Sequence, residues 1–401
     1  MRQVDSAKFK GSKIKEAREF LGMSTADFAT KLGVSKALVV LVENEKREVA
    51  PDLASAILSS VPLPASFFFI KREKKDSSGI FYRSRKSESK KKRKSYETIH
   101  LWVKDIASYL SEFIVFPKVN IQRFDIDPEK TTKRDIEEIA LECRKNLGLG
   151  TSPVPNCVDL FERLGIIIYR RSFDAPKIDS FSQWNALDNR PYIALNSDSD
   201  NGPRSRFDSC HEFGHLVLHK NVDPERFEKD NAYYKWVEDQ AHEFAANFLM
   251  PRKCARIEMA RPSMSNFLLL KPKWKVSIKF LIHRAKTVGV IDNPRSYQLF
   301  MMNYNKKKWH VKEPLNEKVP IEVPGYLTRS FKLLVDRKIK SKQQILNDLP
   351  YHAEFIEESL ALENGYFEDD LMPILKEDLP NIGDGAKVVE FPSGRRKKAM
   401  S

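Results

Sequence analysis

Apolar positions recur at helical spacing through most of the 401-residue chain and give way to short β-branched runs only near its middle. Ile14 to Gly22 has the first helical period. Ser24 then caps a short helix through Ala29 to Leu32, and Gly33-Val34-Ser35 makes a tight turn in which Ser35 caps a third helix to about Glu43. Asp52 to Val61 supplies a fourth. Helix, short helix, glycine turn and helix is the helix-turn-helix layout, whose helix after the turn enters the DNA major groove. Ser35 and Lys36 are its candidate DNA contacts, but valine and leucine fill Val39 to Val42, where base reading needs polar groups. Such an apolar face also suits docking to another helical domain.

Pro62 to Phe69, the basic run after it and Gly79 to Arg83 read as a linker. Amphipathic helices follow at Ser95–Phe116 and at Thr132–Leu147, the second with the capping pair Thr132 and Asp135, and then Cys157–Gly165, closed by glycine. Ile166–Arg170, Phe181–Trp184 and Pro191–Asn196 predict three strands of a small sheet. The last of them is expected to accept an extended peptide along its edge by backbone pairing, which Ala194→Pro would weaken. Beyond Pro251 the pattern is helical again: Ser263–Leu270, a helix capped by Ser277 and ended at Gly289, Ser341–Leu349, and Glu354–Leu362.

The chemistry concentrates where the sheet gives way to helix, at Cys210-His211-Glu212-Phe213-Gly214-His215. Histidines four apart stand on one helix face about 6 Å from each other and can close on one metal ion, with Glu212 at the side as a candidate general base. A catalytic zinc needs a third protein ligand and an open position. Trp236 to Met250 predicts a second amphipathic helix, stopped by Pro251, with Val237, Ala241, Phe244, Ala245 and Phe248 on its apolar stripe. Glu238 beside that stripe is the expected third ligand and His242, one turn on, is the alternative. His219 lies one turn too far along to share the ion and reads as a capping or packing histidine. His219, His242, Tyr233 and Tyr234 are equal candidates for the group that steadies an oxyanion.

Arg206-Phe207 leading into His211-Glu212-Phe213-Gly214-His215, then Glu238-Asp239-Gln240-Ala241, Phe244-Ala245 and Phe248-Leu249-Met250-Pro251, resembles the ImmA/IrrE family of zinc metallo-endopeptidases. His242 departs from that pattern, which usually has asparagine there. Leu21 to Ser24, Phe28-Ala29, Leu32 to Ser35 and Val42 to Asn44 resemble Xre/Cro-type helix-turn-helix domains. The first resemblance implies zinc on His211, His215 and Glu238, Glu212 as general base, and a helix-turn-helix repressor as protein substrate. The second makes DNA a further expected partner. The chain is accordingly read as α+β, mainly α. Its expected divisions are a helix-turn-helix bundle at 1–70, a basic linker at 71–94, a zincin-like domain with a small sheet at 95–260, a helical region at 261–370 and a disordered tail at 371–401. The alternative is a DNA-binding transcriptional regulator whose zinc domain senses or is non-catalytic.

Charge sharpens this only in part. The net charge of +14 favours polyanionic or acidic partners, and twelve of the basic residues stand between Lys71 and Lys94 against three acids. No apolar run of membrane-spanning length and no signal-peptide core at Met1–Asp5 are present, so a cytoplasmic location without membrane contact is expected. The four cysteines form no Cys-x-x-Cys pair and read as reduced, buried thiols.

Overall fold

A computed structural model describes residues 9–70, 80–82, 90–173, 180–198 and 201–368. The N-terminal helices are α1 (Gly11–Phe20), α2 (Thr25–Leu32), α3 (Lys36–Glu43) and α4 (Pro51–Ser60). Strand β1 (Ile80–Tyr82) precedes α5 (Lys90–Ser111), α6 (Lys133–Asn146) and α7 (Cys157–Arg163). Then come β2 (Ile167–Arg171), β3 (Ser180–Asn185), β4 (Arg190–Asn196), α8 (Gly202–Leu218), α9 (Pro224–Lys229) and α10 (Asn231–Leu249). The helices α11 (Arg252–Glu258), α12 (Met264–Trp274), α13 (Ile278–Thr287), α14 (Pro294–Lys306), α15 (Tyr326–Asp336), α16 (Lys342–Asp348) and α17 (Ala353–Ser359) complete it. None of the described helices is long and apolar enough to cross a membrane.

Local chemistry sets the starts of these helices. Ser24 and Asp27 form a reciprocal capping box on α2, as Thr132 and Asp135 do on α6, while the hydroxyls of Ser35 and Ser277 accept from the third residue of α3 and α13. Gly33 closes α2 in the left-handed region at φ +69°, where a side chain is strained. The Arg18 guanidinium grips the Glu43 carboxylate at 2.6 and 2.9 Å and so locks α1 to the end of α3. The outer face of α3 exposes Lys36, Ala37, Val40 and Leu41.

The strands form one sheet in the order β1-β3-β4-β2, with β2 and β4 parallel and the other pairs antiparallel. Two expectations change here. First, β4 is interior: Ala194 sits between Tyr169 of β2 and Phe181 of β3, so β4 has no open edge for a substrate peptide. Second, the stretch read as a linker is structural in three places. Ala65–Phe69 is a 3-10 helix whose Phe67 and Phe68 are fully buried, Ile80–Tyr82 is an edge strand of the sheet, and Lys90–Lys94 already belongs to α5. The phenylalanines are too apolar to be left in water, each being worth about 1.5–3 kcal/mol when buried. Residues 71–79 and 83–89 of the basic run, and the tail from 369, lie outside the described residues.

Side chains alternate across the strands, and the sheet thereby separates two cores. Tyr169, Phe181, Tyr192 and Ala194 face a cluster built from α1 to α5 and α15 to α17, in which Trp102 of α5 lies 5.1 Å from the ring of Tyr351 and 5.2 Å from that of Phe355. Ile168, Ile193 and Leu195 face the second cluster, which joins α6 to α8 and α10 to α14. The two clusters cut across a division of the chain at residue 260. The helices α12 and α13 belong with α8 and α10, whereas α15 to α17 return to the N-terminal helices.

Close backbone approach fixes where α8 begins. A Cβ on Gly202 would lie 1.9 Å from the carbonyl oxygen of Val319. Gly202→Ala should therefore cost about 1–3 kcal/mol from overpacking, more than the roughly 1 kcal/mol alanine returns in helix propensity. A lowered urea midpoint would show this, and an unchanged or raised one would contradict the contact.

Candidate metal centre

The stripe Val237, Ala241, Phe244, Ala245 and Phe248 of α10 is fully buried, and α10 lies along α8. The helices approach closely at Gly214, where a Cβ would meet the Phe244 ring at 3.0 Å. This packing brings three donors together. His211 Nε2 is 3.1 Å from His215 Nε2, and Glu238 places Oε2 at 3.4 Å from the first and Oε1 at 3.3 Å from the second. The exposures are 0%, 1% and 6%, and the three are the group that could hold a metal ion among the described residues.

Hydrogen-bond direction decides which nitrogen of His215 carries the proton. Gln240 Nε2 donates to the carbonyl of Pro128 at 2.8 Å, so the Gln240 amide oxygen faces His219 Nε2 at 3.2 Å and can only accept from it. His219 is held neutral, its pKa pushed well below the ordinary value by burial and by His215. Its Nδ1 therefore carries a lone pair and accepts from His215 Nδ1 at 2.9 Å. That leaves a lone pair on His215 Nε2, aimed at the other two donors. Such a set fits a small divalent cation: ligands about 2.0–2.1 Å from a tetrahedral zinc stand about 3.3–3.4 Å apart, the spacing found for Glu238.

Glu212 lies outside this group and is fully buried. Ser180 Oγ donates to its Oε1 at 2.7 Å and Ser182 Oγ to its Oε2 at 2.6 Å. The serines alternate with Phe181 along β3, so one face of the strand meets the carboxylate while the other enters the first core. Sequence reasoning missed both serines and Gln240. The signal for the serines was Ser-x-Ser at the start of β3, of which only Ser182 fell inside the strand expected at Phe181–Trp184.

His242 does not join the donors. Its Nδ1 donates to the Glu238 carbonyl at 2.8 Å and its ring stands edge-on to that of His211, with centroids 4.5 Å apart. From there it lines a cleft of about 770 Å³ together with Phe207, Asp239, Lys279, Phe280 and His283. Tyr233 and Tyr234 pack instead with Phe227 of α9, and the Arg226 guanidinium lies 4.3 Å over the Tyr233 ring. Of the four oxyanion candidates, His242 is the one that borders both the donors and an open cleft. Ser35 is occupied in capping α3, with Lys36 exposed beside it.

A helix pair that presents two imidazoles and a carboxylate at one point, beside a second buried carboxylate and a cleft, is the arrangement of a mononuclear metal-dependent hydrolase. The comparisons narrow this. The family model described as Peptidase_M78, the IrrE N-terminal-like domain, matches residues 161–286, from the end of α7 into α13, and supports a metallopeptidase of the ImmA/IrrE type. No curated protein matches the chain.

Proposed function

We propose that the protein is a zinc endopeptidase, with His211, His215 and Glu238 as zinc ligands, Glu212 as general base and a helix-turn-helix repressor as substrate. The observation that carries the reading is the convergence of the two imidazole Nε2 atoms and the Glu238 carboxylate within 4.8 Å, on the stretch that the peptidase family matches. Bound zinc would supply the Lewis acid that polarises the scissile carbonyl and acidifies the attacking water. Glu212 takes the proton from that water and passes it to the leaving amine. Ser180 and Ser182 hold both carboxylate oxygens in one orientation while this happens. His242 faces the cleft in which the peptide would lie; because its Nδ1–H is held by the Glu238 carbonyl, its Nε2 would donate to the oxygen that gathers charge only as the doubly protonated imidazolium.

His219 and Gln240 hold His215 in the tautomer that ligation needs. Removal of such an outer partner costs about 10–100-fold in metal affinity, and His219→Ala should show that loss in competition with a zinc chelator. Unchanged affinity would mean that His215 is oriented by α8 alone.

The test of substrate and activity is a mass-spectrometric map of new protein N-termini in cells making the wild type or Glu212→Gln, before and after DNA damage. New termini inside a helix-turn-helix repressor, dependent on Glu212, support the proposal. Identical maps from equal amounts of zinc-loaded protein would favour a regulator that binds DNA through α3.

A further inference from the structure

Cys157 opens α7 and Cys210 precedes His211 on α8; their sulfur atoms lie 3.5 Å apart and both residues are fully buried. We propose that this pair is a redox-active dithiol that closes to a disulfide on meeting a peroxide. A disulfide bond is about 2.05 Å long, so the sulfurs must approach by roughly 1.5 Å, a movement shared between two side chains. The backbone at the start of α7 is held by the Glu322 carboxylate, to which the N–H groups of Cys157 and Val158 donate at 2.8 and 3.2 Å, so the approach falls to rotation of the two Cys side chains.

The surroundings set this pair apart from the other two thiols. Burial pushes the Cys157 thiol up, but the hydrogen bond with Cys210 and the cations Arg206, Lys275 and Arg144 bring it below the ordinary thiol value, while burial and Cys157 hold Cys210 well above it. Cys143 is pushed up to about 12 by burial and by Glu142, and burial also raises Cys254. The sulfur whose thiolate is favoured is thus the one with a second sulfur in contact, which is the arrangement of an attacking and a resolving cysteine.

The chemistry balances with hydrogen peroxide as oxidant. The Cys157 thiolate attacks one peroxide oxygen; the S–O bond forms, the O–O bond breaks, and the departing hydroxide takes a proton to become water. Cys210 then attacks the sulfur of the sulfenic acid and the S–O bond breaks, releasing a second water and leaving the S–S bond. Two thiols lose two electrons to one peroxide. Because neither sulfur reaches solvent, peroxide enters through local opening, and the sulfenic acid meets Cys210 before any soluble thiol. The inference is independent of any role for the metal centre.

The test exposes the full-length protein to excess hydrogen peroxide under native conditions, followed by alkylation in denaturant and non-reducing peptide mapping. The expected result is that most of the Cys157 peptide is joined to the Cys210 peptide, with Cys143 and Cys254 alkylated, circular dichroism unchanged and dithiothreitol reversing the link. Recovery of Cys157 and Cys210 as alkylated thiols, or of Cys157 as a sulfinic acid, overturns the proposal. So does a link that forms only after unfolding. The wild-type chain decides the matter, so a Cys157→Ser variant that failed to fold would not obscure it.

Discussion

Glu212→Gln is expected to slow peptide cleavage about 10²–10⁴-fold, the range for loss of a positioned general base, while zinc content stays at one ion per chain. Glutamine has the size of glutamate, and the Ser180 and Ser182 hydroxyls can turn to bond an amide as they bond the carboxylate. The fold and the three donors on α8 and α10 should persist. Only the proton acceptor is lost, because an amide cannot take the proton from the attacking water. Single-turnover cleavage of a repressor fragment, paired with metal analysis of the same preparation, measures both halves. A variant that cuts at the wild-type rate would remove Glu212 from the mechanism. One that loses zinc would make it a structural support of the metal centre instead.

The second large effect is expected at Glu313, outside the three metal donors. Its Oε2 accepts from Lys271 Nζ and from the backbone N–H of Ile278, both at 2.8 Å, while Oε1 accepts from the N–H of Lys279 at 3.1 Å and the Tyr304 hydroxyl at 3.0 Å. One carboxylate therefore caps α13, ties it to α14 and neutralises a fully buried lysine on α12. Glu313→Ala leaves the Lys271 ammonium buried without its counter-charge, a change that costs about 3–5 kcal/mol. Urea unfolding followed by far-ultraviolet circular dichroism would show it, and a loss below about 1 kcal/mol would mean that water reaches Lys271 and solvates it. Lys279, Phe280 and His283 of α13 line the cleft, so the variant should also weaken substrate binding before it unfolds.

What was legible beforehand divides by range in sequence. Caps at Ser24, Ser35, Thr132 and Ser277 were readable because each bond spans three residues. The two histidines were readable because one helix turn places them. The three strands of the middle were readable from their β-branched and aromatic runs, but not their order, because β2 and β4 are buried along most of their length and neither run names its partner strand. The edge position expected for β4 came from its place as the last strand before the histidine helix, whereas its apolar run is that of an interior strand. Glu212 meeting Ser180 and Ser182, and His219 meeting Gln240, depend on contacts across 21 to 32 residues that no periodicity encodes. Phe67 was misjudged because its partners Trp102 and Tyr351 lie far along the chain, and Phe68 because it packs on Phe9 and Phe67 rather than on its own stretch alone.

The return of α15 to α17 to the N-terminal helices has a consequence for synthesis. The core around the metal helices draws on residues between Ile136 and Tyr304, and the ribosome has delivered all of them before it reaches Tyr351 and Phe355. Phe20, Phe67 and Trp102 are made much earlier yet wait for those two rings to cover them. A nascent chain thus finishes its chemical centre first and seals its beginning last, so the N-terminal helices spend the longest part of translation with an apolar flank open to chaperones.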